Sequence, residues 1–279
     1  MSLPISNGGR RYGRLYDRYD RRDLMMSSAP IFRAKMTQLP PVGDNRQWQG
    51  PIKDQGQEGS CTGHAYSSNA EWAARRYMDK TPIFSPQYTY VSELLLEGTF
   101  PEDNGAMPRS GCIVTVKSGL CESSVFPYVE GQIVKPNAAQ IANAETWKFM
   151  GAYHRINTVD DALSCCADKF PWLFTIGFMV YDSFESDQTA ETGVMPVPNK
   201  AKEQLLGGHE VLGGLAWDTG TIPKLRPKGC PPAVLVQNSW SKDWGIHGNF
   251  WMPLEVLDDP EIVSDMWIIH NGGPWIPKR

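Results

Sequence analysis

The stretch "DQGQEGSCTGHA", residues 54–65, decides the fold of this chain. A single cysteine, Cys61, ends a glycine-rich loop, and the residues after it carry apolar side chains at helical spacing. Cys61 could be a buried filler, half of a disulfide, a metal ligand or a nucleophile. Because the N-terminus of a helix stabilises a nearby anion, a thiol at this place is suited to form the thiolate that a nucleophile needs.

Length and composition indicate a globular protein. The chain has 279 residues, of which 41% are hydrophobic and 21% charged, which suits one large domain or two lobes that share a cleft. No apolar run approaches the length of a membrane span, and the N-terminus lacks the apolar stretch of a secretory signal. We therefore expect no membrane partner, and the compartment stays open between the cytoplasm and export by a non-classical route.

The cysteines are sparse for a disulfide framework, and they form no C-x-x-C pair. No histidine lies at zinc-ligand spacing from a cysteine pair, so the sequence predicts neither a metal site nor a cofactor. Most cysteines are expected to be free or buried, and Cys112 with Cys121 is the one local pair that could form a bridge. The six positions are Cys61, Cys112, Cys121, Cys165, Cys166 and Cys230.

Charge is distributed unevenly, because residues 1–38 carry a net +5 and residues 39–279 a net −9. A basic tail with interleaved tyrosines could bind nucleic acid, but the acidic body and a pI near 5.8 make that partner unlikely. Thirty-eight residues cannot build a core of their own. We predict that this N-terminal extension folds back over the cleft and blocks it, with a disordered leader or targeting arm as the alternative. The predicted apolar anchors are Tyr12, Tyr16, Tyr19, Leu24–Met26, Ile31 and Phe32.

The chain changes character along its length. Helical patterns occupy residues 61–80, 85–98 and 109–119, whereas the later apolar segments are β-branched and aromatic. The stretch 218–232 is predicted to form a long hairpin excursion between two strands. The sequence therefore predicts an α+β fold with two lobes, a helical front lobe (about 50–125) and an antiparallel, β-rich back lobe (about 126–279) with the site in the cleft between them.

Four further residues complete the chemistry that a nucleophilic Cys61 would need. His209 follows two glycines at the start of an apolar strand and is the candidate base, and Asn238 at the end of the next strand is its candidate orienting acceptor. Trp240 could cover the hydrogen bond between them from water. The Cys61 N–H and the side-chain amide of Gln55 are the candidate donors to an oxyanion.

Three blocks, "DQGQEGSC", "GGHEVLGGLAWD" and "QNSWSKDWGIHGNFW", together resemble the papain family of cysteine peptidases, from about residue 39 to the end. The similarity is greatest to bacterial members with short extensions. It implies a papain-like fold, a cysteine endopeptidase activity and a peptide or protein substrate. The residues that match the family's catalytic order are Gln55, Cys61, His209 and Asn238, with Trp240 after them. The segment from Asp103 to Gly131 resembles the family's cleft wall, which implies substrate binding by Gly105, Ala106 and Met107.

Some positions depart from the family pattern. Thr62 replaces the usual tryptophan after the nucleophile, and Glu58 replaces a cysteine, so the family's first disulfide should be absent. Glu210 replaces a small residue after the histidine, where the family lines the subsite for the side chain two residues upstream of the cut. Asp265 aligns with the floor of that subsite. Two carboxylates there would favour Arg or Lys in the substrate, unless both face solvent.

Other functions stay open at this point. The same acyl-enzyme could be passed to an amine, which would make the protein an acyl transferase that the sequence cannot distinguish from a hydrolase. A non-catalytic binding protein is disfavoured because the set of Gln55, Cys61, His209 and Asn238 is intact. We expect a monomer in which the N-terminal segment binds the cleft in cis.

Overall fold

The computed structural model describes residues 10–28, 39–167 and 171–271. Three of its helices form the front lobe, as the sequence predicts, a fourth (Ala138–Glu145) packs against that lobe, and the others lie in or beside the back lobe. None of the helices in these ranges is long and apolar enough to span a membrane. In chain order the α-helices are α1 (Cys61–Met78), α2 (Pro86–Glu97), α3 (Pro108–Lys117), α4 (Ala138–Glu145), α5 (Val159–Ala167), α6 (Asp187–Thr192) and α7 (Leu254–Leu257).

Helix α1 is the central helix of the molecule. Every residue from Cys61 to Ala74 is buried, because the helix packs against α2 and α3 on one side and the sheet on the other. Helix α2 has an N-cap at Ser85, whose side chain accepts a hydrogen bond from the Tyr88 N–H (3.0 Å), and it ends at Gly98 in a left-handed conformation. These caps set where α2 lies against α1.

A buried ion pair joins α1 to the loop that precedes it. Lys53 lies 2.7 Å from Glu71, and the same carboxylate accepts the Phe84 N–H at 2.8 Å. The Trp72 Nε1–H donates to the Asn45 carbonyl at 3.0 Å. The glycine-rich loop that leads into Cys61 is therefore held at its far end by polar contacts with the helix that it feeds.

One antiparallel sheet forms the back lobe, in the order β2-β7-β3-β4-β5-β6, and β1 pairs with β4 off this path. The long strand β4 packs against α1, so the sheet and the helical lobe share one interface. The strands are β1 (Val42–Asp44), β2 (Ala152–Ile156), β3 (Phe174–Tyr181), β4 (Leu205–Asp218), β5 (Ala233–Gln237), β6 (Asn249–Pro253) and β7 (Val263–His270).

The register of the three central strands brings two acidic residues together. Gly177 on β3 lies opposite Glu210 on β4 and opposite Asp265 on β7. Residues directly opposite each other in antiparallel strands project from the same face of the sheet. Glu210 and Asp265 therefore flank a position that has no side chain, and a shallow space opens between them.

The fold class is confirmed, and the β-rich description of the back lobe needs one addition. Helices α4 to α7 also lie in that half of the chain, and α4 packs against the front lobe, where its Ala144 joins Tyr88 and Cys121 in one apolar cluster. They are short, and α4 has a capping box at Asn137 and Gln140 that marks its start.

The hairpin predicted for residues 218–232 joins β4 to β5. Its base is closed by Asp218, whose buried carboxylate accepts the backbone N–H groups of Lys224 and Leu225 and pairs with Arg226 at 2.6 Å. All six cysteines are buried and none is part of a disulfide, so Cys112 and Cys121 form no bridge.

Replacing Gly63 by Ala should loosen the packing of α1 on α2. A Cβ at Gly63 would lie 2.5 Å from the Pro86 carbonyl oxygen and 2.9 Å from Tyr90 Cβ, and both are held by helix α2. We expect a loss of about 1–3 kcal/mol in the free energy of unfolding, measured by urea denaturation. Gly220→Ala is the control, because a Cβ there meets its nearest atom at 3.5 Å. Equal stability of the two variants would contradict this account of the interface.

Candidate active site

The N-terminal extension crosses the space between the two lobes as an added strand. The Arg14 N–H donates to the Gly208 carbonyl at 3.0 Å, and the Leu15 N–H donates to the Ala106 carbonyl at 2.9 Å. The Ala106 N–H in turn donates to the Gly13 carbonyl at 2.8 Å. The extension therefore bridges the loop before α3 and the strand β4, with both pairings parallel.

Cys61 is the first residue of α1 and lies beneath this extension, with no exposed surface. Its own N–H is one of the donors that every helix leaves unpaired at its start. Burial raises the pKa of the Cys61 thiol to about 12, and hydrogen bonds from the backbone of Glu210 and Gly13 counteract only part of that effect. In the covered state the thiol is therefore neutral.

His209 and Asn238 lie side by side on β4 and at the end of β5. Asn238 Oδ1 accepts the Ser239 N–H at 2.8 Å, which fixes the orientation of the amide, and it lies 2.8 Å from His209 Nε2. Nε2 is therefore the protonated nitrogen, and Nδ1 keeps its lone pair without a hydrogen-bond partner among the described residues. Burial lowers the pKa of His209 to about 4, despite the bond to Asn238.

Aromatic rings shield this hydrogen bond. The Trp240 ring stacks on His209 with 5.0 Å between ring centroids and an angle of 23°, and Trp240 is 3% exposed. Trp244 and Phe184 pack against Trp240 at 5.1 and 5.3 Å. Tyr12 from the extension closes the remaining side, 6.0 Å from the imidazole.

Gln55 is held in the loop before α1 by both ends of its amide. Its Nε2 donates to the Glu58 carbonyl at 2.9 Å, and its Oε1 accepts the Ser239 hydroxyl at 2.6 Å. One of the two Nε2 hydrogens is therefore left for another acceptor. Ser239 is a residue that the sequence interpretation missed, although it directly follows Asn238.

Arg14 of the extension fills the space between Glu210 and Asp265. Its guanidinium pairs with Asp265 and hydrogen-bonds Ser264. Arg14 also lies directly against Gly177, because a Cβ built on that glycine would be only 2.6 Å from Arg14 Nε. Arg14 is 3% exposed, and both carboxylates are at 1%. Burial raises the pKa of Glu210 well above its usual range, and the charge of Arg14 opposes that rise. Neither carboxylate faces solvent.

Beyond Arg14 the extension contacts the body through ion pairs and hydrogen bonds of its acidic side chains. Asp17 accepts the Arg109 N–H at 3.1 Å and the Trp267 Nε1–H at 2.8 Å. Asp23 pairs with Arg109 at 2.7 Å and lies 3.6 Å from Arg155, which also bonds Asp265. The body side chains in these contacts come from α3, β2 and β7.

The predicted anchors of the extension are only partly correct. Tyr12 and Met26 are buried, at 2% and 3% exposure, but Tyr16, Tyr19 and Leu24 are exposed. The buried arginine Arg14 takes the place of those apolar contacts. Ile31 and Phe32 lie outside the described residues.

The other residues that the sequence indicated make contacts that stabilise the fold around the site. Met107 is the N-cap of α3, and its N–H donates to Glu97 at 2.8 Å. Gly105 lies so close to the extension that a Cβ on it would be 2.0 Å from the Gly13 carbonyl oxygen. His64 packs on the Tyr128 ring and bonds the Ser60 carbonyl at 2.9 Å. Within the described ranges no group of three or more His, Cys, Asp or Glu side chains is placed to hold a metal ion.

Comparison with known proteins places this geometry in a family. A curated protein of Acanthamoeba polyphaga mimivirus, described as an uncharacterized peptidase C1-like protein, is 32% identical over 230 residues, which cover 78% of this chain and 69% of the relative. No protein-family model matches the chain. With its helical lobe, antiparallel sheet and buried cysteine, histidine and asparagine, the chain belongs to the papain-like family of cysteine peptidases.

The solved structures point the same way. Xylellain, a cysteine protease from Xylella fastidiosa, superposes with a TM-score of 0.78 at 27% identity, over 93% of this chain and 96% of that one. A procathepsin B from Trypanosoma congolense reaches a TM-score of 0.68 at 16% identity, over 93% of this chain and 85% of that one, which shows the shared fold.

Neutralising Asp17 should favour docking of the extension more at neutral pH than at acidic pH. Burial and the nearby charge of Asp265 raise the pKa of Asp17 to about 6, against hydrogen bonds from Arg109 and Trp267. A carboxyl whose pKa is higher in the docked state opposes docking when ionised, so its penalty is full above pH 6 and gone below about pH 4. Asp17→Asn removes the charge but keeps only one of the two acceptor oxygens, so one of the hydrogen bonds from Arg109 and Trp267 is lost at every pH.

Hydrogen exchange at the Arg14 and Leu15 amides measures this docking without any need for activity. We expect the protection in Asp17→Asn, relative to the unmodified chain, to be greater at pH 7 than near pH 4, because only the effect of the charge depends on pH. Because His209 also titrates in this range, the comparison is made between the two chains at each pH. An equal difference at both pH values would contradict the role of Asp17.

Proposed function

We propose that this peptidase hydrolyses peptide bonds through an acyl-enzyme on Cys61. The single observation that carries the proposal is the buried bond between His209 Nε2 and Asn238 Oδ1, which leaves Nδ1 as the basic nitrogen. That nitrogen takes the Cys61 proton, and the thiolate attacks the carbonyl carbon of the scissile bond. His209 then returns the proton to the leaving amine.

The oxyanion of the tetrahedral intermediate would be held by the Cys61 N–H and the free Nε2 hydrogen of Gln55. Water then attacks the thioester with His209 as base, and the acid product leaves. Asn238 acts by keeping the imidazole in the required tautomer, and Trp240 by keeping water from the hydrogen bond between them. The structure offers no observation that favours transfer to an amine over transfer to water.

The extension would act as an inhibitor in cis. It covers Cys61, and the neutral thiol and imidazole beneath it are unsuited to attack. Its three arginines near the cleft, Arg10, Arg11 and Arg14, contact Trp240, Asp103 and Asp265 of the body. These contacts favour docking on the protein itself over binding of nucleic acid.

The direction of the extension supports inhibition over cleavage. We assign the space between Glu210 and Asp265 to the substrate side chain two residues upstream of the cut. In the extension the residue in that space, Arg14, comes after Gly13, which lies beside Cys61. The chain thus runs opposite to a substrate. The same space, with two buried carboxylates, would favour Arg or Lys in substrates.

In a chain whose extension is displaced by Gly13→Ala, Cys61→Ala should abolish both hydrolysis and covalent labelling by iodoacetamide. Loss of the nucleophile is expected to lower kcat/KM by about 10⁴-fold or more. Cys121→Ala and Cys230→Ala serve as controls that should keep full labelling, mapped by mass spectrometry of the modified peptide. Labelling that persists at another cysteine in parallel with activity would show that Cys61 is not the nucleophile.

Gly13→Ala should release the extension and activate the full-length enzyme. A Cβ on Gly13 would lie 1.8 Å from the Gly59 carbonyl oxygen. Because the atom it meets belongs to the backbone, no side-chain rotation can relieve the clash. A docking loss of about 1.4–3 kcal/mol would raise the rates of hydrolysis and Cys61 alkylation about 10- to 100-fold.

Tyr19→Ala, on the exposed side of the same extension, is the matched control and should change neither rate. If Gly13→Ala folds normally and is no faster than the unmodified chain at low salt, the extension is not an inhibitor.

A further inference from the structure

A small buried cavity lies between helix α1 and the strands β4 and β5, next to Asn238. Its lining includes Lys53, His64 and Asn238, and it leaves about 10 Å³ for the centre of a water molecule. His64 and Asn238 are almost completely buried, at 2% exposure each. A buried cavity of this size takes up one water molecule when polar groups surround it.

Two nitrogen atoms of these side chains, Asn238 Nδ2 and His64 Nε2, have no hydrogen-bond partner among the described residues. The other end of the Asn238 amide is fixed, because Oδ1 lies 2.8 Å from His209 Nε2. His64 Nδ1 lies 2.9 Å from the Ser60 carbonyl oxygen, which can only accept, so Nδ1 carries the ring proton and Nε2 a lone pair. The Asp54 carbonyl also lies near the His64 ring, but a carbonyl cannot supply a hydrogen to that lone pair.

The donors and acceptors around the cavity match a single water molecule. Asn238 Nδ2 can only donate, and His64 Nε2 can only accept while the ring is neutral. Burial keeps it neutral by lowering the pKa of His64 to about 3. The Lys53 ammonium uses two of its three hydrogens on Ser67 at 2.8 Å and Glu71 at 2.7 Å. A water that accepts from Asn238 and Lys53 and donates to His64 makes three hydrogen bonds, the usual number for a buried water.

We propose that one buried water joins Asn238 to His64 and Lys53, and that His64 is thereby a positioning residue for Asn238. A buried donor without a partner is costly, and that cost would favour rotation of the amide away from His209. The water removes the cost and stabilises the orientation in which Oδ1 accepts from His209. His64 lies on α1 three residues after Cys61, so the bridge also connects the turn that carries the nucleophile to the sheet. The inference rests on the proposed function, because it takes His209 to be the base.

A matched pair of substitutions separates the two contacts of His64. His64→Gln keeps an acceptor near the position of Nε2 but loses the bond to the Ser60 carbonyl. His64→Asn keeps a donor near the position of Nδ1 for Ser60 but has no atom at the position of Nε2. In full-length Gly13→Ala, kcat for a peptidyl coumarin amide should fall about tenfold with His64→Asn and at most about twofold with His64→Gln, at unchanged KM. Equal effects, or the reverse order that a purely structural role through Ser60 would give, would overturn the inference.

Nuclear magnetic resonance of the full-length chain separates this inference from the proposed function, because it needs neither turnover nor an open cleft. The unmodified chain should show a nuclear Overhauser effect between the Asn238 side-chain amide and a long-lived water. Its absence would overturn the bridge, and this measurement decides even if neither variant folds.

The nitrogen chemical shifts of His209 report where the imidazole proton lies. At pH 7 the proton should be on Nε2 in the unmodified chain and in His64→Gln, whereas His64→Asn should show a mixture of both tautomers. The same single tautomer in all three chains would overturn the positioning role and leave the peptidase proposal intact. The expected water signal and tautomer mixture without hydrolysis of any substrate would support the bridge and overturn the peptidase proposal.

Discussion

The burial of helix α1 is the constraint on which the rest of the site depends. Its first fourteen residues have no face toward solvent, because α2 and α3 cover one side and β4 the other. The residue at its N-terminus is thereby fixed against the strand that carries His209. A cysteine on one lobe and a histidine on the other keep a constant distance and orientation only if the interface between the lobes is close-packed. Small residues such as Gly63 and Ala70 allow that closeness.

The distribution of charge determines how the extension is attracted to the cleft and how salt affects that attraction. The body is acidic and the extension basic, and long-range attraction of this kind is screened within about 8–10 Å at ordinary ionic strength. The pair of Arg14 with Asp265 is different, because both groups are almost completely removed from water. Such a pair is weakly screened, and separating its members is costly unless water or another cation reaches them. The extension thus combines contacts that salt weakens with one that salt hardly affects.

Much of this arrangement could be predicted from the sequence. The order of Gln55, Cys61, His209 and Asn238, and the apolar strand after His209, gave the fold class and the set of residues that the structure brings together. The short helices α4, α5 and α6 were missed because they are only a few turns long and lie among strand-like segments. The direction of the extension and the contacts of Arg14 depend on pairing between residues some 90 to 250 positions apart, which local patterns do not encode. Tyr16, Tyr19 and Leu24 were expected to be anchors by composition alone, whereas the extension is bound through its backbone at Gly13–Leu15 and these three side chains are exposed.

The extension and the cleft belong to one polypeptide, and this has a consequence for how the enzyme would be switched. Tethered partners meet at an effective concentration that is typically on the order of millimolar, whatever the concentration of the protein itself. A contact that would be weak between separate molecules is therefore enough to keep the cleft filled, and dilution does not empty it. The same extension supplied as a free peptide would be a poor inhibitor. A single cut in the connecting chain would therefore allow the extension to dissociate and diffuse away from the cleft.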